Sequence, residues 1–149
     1  MRIRTVAALA ALAACGENAA APVAAPPAPS LQGEWSWTGT ASTAKSHCTE
    51  SPVRIFLTAV DSAKFIGFTE DGIETCTNDS THAVTVTAWP SFGLVGTIEP
   101  DSSMALTMYL YGTAWTYQEG NLLDGDHLSG WFRGLTRNYA GLWSAERVR

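Results

Sequence analysis

Cys48 and Cys76 are the residues with the plainest chemistry in this chain. As an even pair they read as a disulfide if the domain is exported, which would close a loop of roughly 30 residues and stabilise the fold by about 3–4 kcal/mol. Two rivals stand beside that reading. A metal site would recruit His47, His82 and His127, but no pair among these residues has structural-zinc spacing such as C-x2-C or H-x3-H. A thiol nucleophile would be consumed in an oxidising compartment. Asp124 and Asp126 offer paired carboxylates for acid–base work, and hard oxygens for calcium. A turn through Asn121–Asp126 explains them at lower cost, and no Glu stands at the twelfth position of an EF-hand.

Six tryptophans and four tyrosines make aromatic recognition the other available chemistry. Trp35 and Trp37 lie two apart, as do Tyr109 and Tyr111, and Trp115 and Tyr117. On strands, that spacing puts each pair on one face. Tyr109, Tyr111, Trp115 and Tyr117 are therefore the candidate binding residues, for an apolar ligand if they face inward and for a protein partner if they face outward. Core packing is the plainer reading for Trp35, Trp131 and Trp143. G-x-S-x-G, H-E-x-x-H and phosphate-cradling glycine loops are all missing. The expectation is a non-enzymatic protein with no cofactor and no metal.

Whatever these residues do, the 149-residue chain has to position them. An apolar fraction of 46% against 15% charged supplies a core and argues against a disordered chain. Net charge is −5, which disfavours a nucleic-acid partner, since phosphate binding needs clustered Lys and Arg. The charge is uneven: no Lys or Arg stands between Phe65 and Trp131, whereas Arg133, Arg137, Arg147 and Arg149 crowd the C-terminus.

Period-two alternation dominates after residue 32. Val53, Ile55 and Leu57 alternate with Arg54, Phe56 and Thr58, and Met104, Leu106 and Met108 with Ala105, Thr107 and Tyr109. Strands are expected near 33–40, 52–60, 63–69, 72–77, 82–89, 92–98, 103–111, 113–118, 128–134 and 139–147, with two of the short ones merging or becoming loop. Asp71-Gly72 and Asp124-Gly125 supply hairpin-turn chemistry. The fold class predicted is all-β, a small antiparallel up-and-down barrel of about eight strands; a two-sheet sandwich is the alternative.

Ahead of the strands, Arg2 and Arg4 precede the short apolar run Val6–Ala14, too short to cross a bilayer. The run ends in Leu12-Ala13-Ala14-Cys15-Gly16, which resembles a bacterial lipobox. The resemblance implies a signal peptide over 1–14 and acyl chains such as palmitate on Cys15, enough to hold the protein to a membrane. With Gly16 rather than Asp next, it implies the periplasmic face of the outer membrane. Cleavage would leave seven basic against fourteen acidic side chains, a net −7. Residues 15–31 then read as a lipidated cysteine and an Ala/Pro-rich linker, whose Glu17–Ser30 would extend up to ~43 Å. The barrel domain is assigned to 32–149.

Gly33-Glu34-Trp35 on the first strand and Arg147 on the last resemble the two ends of calycin barrels, the lipocalin and avidin-like group. There a G-x-W tryptophan plugs one barrel end beneath a C-terminal arginine, which gives Gly33, Trp35 and Arg147 a structural role. Avidin-like chains hold biotin with Asn and Ser shortly after that Trp; Trp37 and Ala41 stand here, so biotin is not implied. Leu31-x-Gly33-x-Trp35 followed by Cys48 and Cys76 also resembles periplasmic inhibitors of bacterial metalloproteases, whose N-terminal arm enters the protease cleft. Leu128-Ser129-Gly130-Trp131 and Ala140-Gly141-Leu142-Trp143 look like small bacterial lipoproteins built from glycine-punctuated hairpins. The combined expectation is a lipid-anchored envelope barrel for a small apolar ligand or a protein partner, with protease inhibition as the alternative.

Overall fold

The computed structural model describes residues 27–149. The readings that fall on 1–26, including the signal peptide, Cys15 and most of the linker, lie outside the described residues.

All regular structure from residue 27 onward is strand. The ten strands are β1 (Gly33–Ser42), β2 (Ser46–Ala59), β3 (Lys64–Thr69), β4 (Gly72–Asn78), β5 (Val84–Trp89), β6 (Gly93–Ile98), β7 (Ser103–Leu110), β8 (Thr113–Asp124), β9 (His127–Gly134) and β10 (Ala140–Arg147). Every pairing is antiparallel. The order β1-β10-β9-β8-β7-β6-β3-β2 returns to β1 through a β1–β2 pairing, so eight strands close a barrel. This is the architecture that the alternation and the calycin resemblance imply. Closure leaves no free edge within the ring.

Two strands stand outside that ring. β2 is long enough to serve two neighbours: Ile55–Ala59 pair with β3, and Ser46–Glu50 pair with β4. The β4–β5 hairpin thus extends one rim of the barrel and interrupts the meander between β3 and β6. Asp71-Gly72 is consequently a crossing rather than the hairpin turn its chemistry suggests, because β3 and β4 flank β2 and do not pair with each other. Asp124-Gly125 does lie in a hairpin turn, joining β8 to β9. Pro52 sits where the β1–β2 register slips between Trp37↔Val53 and Gly39↔Glu50. A proline is tolerated in a strand at such a bulge, where its missing N–H costs no ladder bond.

The lower half of the barrel is filled. Trp35, Ile55, Leu57, Phe65, Leu94, Ile98, Leu106 and Trp143 are buried together. Trp35 closes this end at 0% exposure, its indole N–H donating to the Leu31 carbonyl at 2.9 Å. The Arg147 guanidinium lies 4.2 Å from the Trp35 ring centroid and donates to the carbonyls of Gln32, Ser30 and Gly125. Gly33, at φ +134°, leaves the space this arrangement needs, since a Cβ there would meet Arg147 Nη1 at 2.9 Å. Leu31, assigned to the linker from sequence, is buried in the core, and Ala28 packs against it.

Candidate binding cavity

At the opposite end from Trp35 the barrel is open, with a cavity of about 400 Å³. Its depth and walls follow from the strand order. Trp37 and Ala41 come from the second half of β1, Cys48 and Glu50 from the first half of β2, and Met108 and Leu110 from the end of β7. Trp115, Thr116 and Gln118 come from the start of β8. The β4–β5 hairpin adds Glu74, Cys76 and Trp89, while Arg137, Asn138 and Tyr139 close over it from the β9–β10 connection.

One wall is aromatic. Trp89 and Phe92 have ring centroids 5.3 Å apart, and Phe92 and Trp115 6.2 Å. Phe92 is held by the fully buried Thr69: their backbones bond N–H to O=C at 2.9 Å, and the Phe92 N–H also donates to Thr69 Oγ1. Trp115 is the unpaired residue of a bulge, because Tyr109 faces Ala114 while Met108 faces Thr116. The extra residue resets the parity of β8, which is how Trp115, Thr116 and Gln118 all line the cavity.

The facing wall is acidic. The β2–β4 register sets Cys48 opposite Cys76, Thr49 opposite Thr75 and Glu50 opposite Glu74. Cys48 and Cys76 form the disulfide. Glu50 and Glu74 come next to it on the same face, two carboxyl groups directly across a ladder, where ionising both costs free energy. Burial first, and then the Glu74 charge, push the Glu50 carboxyl up to about 8. Burial and the same two carboxylates push the Tyr139 phenol up to about 12. Gly39 makes room for this wall: a Cβ there would lie 2.8 Å from Glu50 Oε2 and 3.0 Å from the Trp37 ring.

Three buried polar atoms on the cavity wall have no hydrogen-bond partner among the described residues: Trp37 Nε1, Glu50 Oε2 and Gln118 Oε1. Trp37 is 3% exposed and Gln118 2%. Gln118 Nε2 is engaged with Met108 Sδ at 2.8 Å, which turns the amide oxygen away from it. Native interiors rarely leave such atoms without a partner in the protein, so their gathering around one cavity is a functional signal.

The four aromatic residues singled out from sequence do not form one surface. Trp115 lines the cavity, and Arg137 stacks over it at 5.3 Å. Tyr117 lies against Trp131 and Arg133, at 6.2 and 5.5 Å, and donates to Glu119 Oε1. Tyr111 sits in the β7–β8 turn at φ 48° and 91% exposure. Tyr109 lies on β7 facing Ala114 and lines no part of the cavity. The bulge separates Trp115 from Tyr117 despite their spacing.

The residues missed from sequence are Glu50, Glu74, Trp89, Gln118 and Tyr139. A signal for two of them was present. Cys48-Thr49-Glu50 and Glu74-Thr75-Cys76 are mirror images, so an antiparallel ladder through the disulfide must pair the glutamates. The three histidines do not converge: His47 Nδ1 contacts Asp79 at 2.7 Å, His127 Nδ1 contacts Asp124 at 2.8 Å, and His82 sits in a loop at φ 58°. Among the described residues Cys48, Glu74 and Cys76 form the one cluster of metal-ligating types, and the disulfide consumes both thiolates. Asp124 and Asp126 lie in the β8–β9 turn, with Asp126 paired to Arg147 and Arg149.

No protein-family model and no curated protein sequence matches this chain.

Proposed function

We propose that the protein is a lipid-anchored, non-enzymatic barrel of the bacterial envelope that binds a small ligand in the open end of its barrel. One observation carries the reading. The closed barrel is packed at one end only, and at the other it keeps a cavity of about 400 Å³ walled by Trp37, Trp89, Phe92 and Trp115 with a few inward polar groups. That combination of an apolar lining with sparse, fixed polar atoms is the usual make-up of a small-molecule site. The lipobox-like Leu12–Gly16 segment supports the anchor and the envelope address.

The inhibitor alternative has less support. Its arm would be the segment before Gly33, yet Leu31 is buried there and Arg147 holds the Ser30 and Gln32 carbonyls.

Titration of the full-length protein with N-phenyl-1-naphthylamine, a neutral apolar fluorophore, tests the binding reading. Saturable one-site binding is expected, weakened at least about tenfold by Trp115→Ala and by Ala88→Trp, which fills the exposed rim. Non-saturable uptake, or binding indifferent to both substitutions, would contradict it.

A further inference from the structure

We propose that the ligand is a small organic cation: a protonated amine on an apolar or aromatic body that also carries one hydrogen-bond acceptor. This rests on the cavity reading above and narrows it to a chemical class.

The acidic wall is the first reason. Glu50 and Glu74 face each other across the ladder, and among the described residues neither makes an ion pair. The remaining titratable groups lining the cavity are Tyr139 and Arg137, and Arg137 lies over the Trp115 ring. An ammonium group set against the two carboxyl groups would offset the burial and the Glu74 charge that hold the proton on Glu50, whereas a carboxylate ligand would add to both. The second reason is the atoms left unpaired. Gln118 Oε1, and Glu50 Oε2 once its carboxyl ionises, are acceptors without donors, and with Glu74 they equal in number the three N–H donors of a primary ammonium. Trp37 Nε1–H is a donor waiting for an acceptor, which the ligand body would supply. A purely apolar ligand would displace water from all these atoms and satisfy none of them. The third is the aromatic wall, whose ring faces attract cations as well as apolar groups. The disulfide next to the glutamates pins the register that brings them together.

Calorimetric titration of the full-length protein with tyramine, 2-(4-hydroxyphenyl)ethanol and 3-(4-hydroxyphenyl)propionate separates cation, neutral and anion on nearly one skeleton, the phenol oxygen of each supplying the acceptor. The amine should bind at least about tenfold more tightly than the alcohol, and the acid should not bind. Glu50→Gln and Glu74→Gln should each bring the amine down to the level of the alcohol measured on the same variant. Amine affinity should rise from about pH 6 to about pH 8.5 as Glu50 becomes ready to ionise, the ligand staying charged throughout as a lysine amine does. In Glu50→Gln that rise should vanish. Alcohol or acid binding as tightly as the amine would overturn the cation and leave the cavity reading intact. The same holds if the amine fails to bind while N-phenyl-1-naphthylamine still saturates. Failure of the fluorophore as well would overturn both.

Discussion

Glu50 keeps its proton to about 8 because its carboxyl is buried beside another carboxylate, and this has a consequence for the whole fold. From about pH 4.5 to about pH 8 the unfolded chain has lost that proton and the folded chain has not. Over this window the folded state binds more protons, so stability from this group falls as pH rises and levels off above about 8. Replacing Glu50 with Gln removes the charge and keeps the shape. The Glu50→Gln protein should be more stable than the parent at pH 8, on the order of a few kcal/mol, with the gap closing toward pH 4.5. Urea titrations at the two pH values check this, and an equal gap at both would refute it. Arg147 works in the opposite sense. Its side chain covers Trp35, donates to three carbonyls and pairs with Asp126. Arg147→Ala should cost about 2–4 kcal/mol, and Arg147→Lys should recover less than half of it, because an ammonium cannot reproduce the guanidinium fork.

The strands themselves were legible because Val, Ile, Met and Leu alternate cleanly with Thr and Tyr; all ten segments are strands, and none of the short ones merges or becomes loop, as two were expected to. What the alternation hid were the places where it breaks. Pro52 reads as a strand start, so Ser46–Ser51 was missed, although the proline sits in a bulge within one continuous β2. The bulge at Trp115 reverses parity, and no residue type announces a bulge. The glutamates read as surface charge because a buried carboxylate is uncommon, even though the mirrored Cys-Thr-Glu and Glu-Thr-Cys segments encode their meeting. The β4–β5 hairpin joins the barrel through one five-residue ladder with β2 and the Cys48–Cys76 bond. Replacing both cysteines with alanine should therefore lower stability by about 3–4 kcal/mol and act unevenly. Hydrogen exchange should accelerate through β4 and β5, with little change in β7 to β10. Uniform acceleration would mean that the hairpin and the barrel open as one unit.

As a whole, the molecule has a packed end and an open end, and its C-terminal arginines divide between them. Arg147 and Arg149 pair with Asp126 near the packed end, whereas Arg137 stands over the cavity. The segment leading back toward Cys15 leaves from the packed end, where Leu31 and Ala28 are docked. Under the proposed anchor, the tether from Cys15 would join the domain at that end. Labelled palmitate should enter the protein and fail to enter a Cys15→Ala variant; equal labelling of both would remove the anchor from the account. The central claim, that the open end of the barrel is the binding site, is tested most directly by the six indole N–H groups in a nitrogen–proton correlation spectrum of the full-length protein. On titration with tyramine or N-phenyl-1-naphthylamine the signals of Trp37, Trp89 and Trp115 should move. Those of Trp35 and Trp143, bonded to the Leu31 and Trp131 carbonyls, and of the outward Trp131 should stay in place. Movement of Trp131 alone, with the three cavity signals unmoved, would place binding on the outer surface and contradict the account.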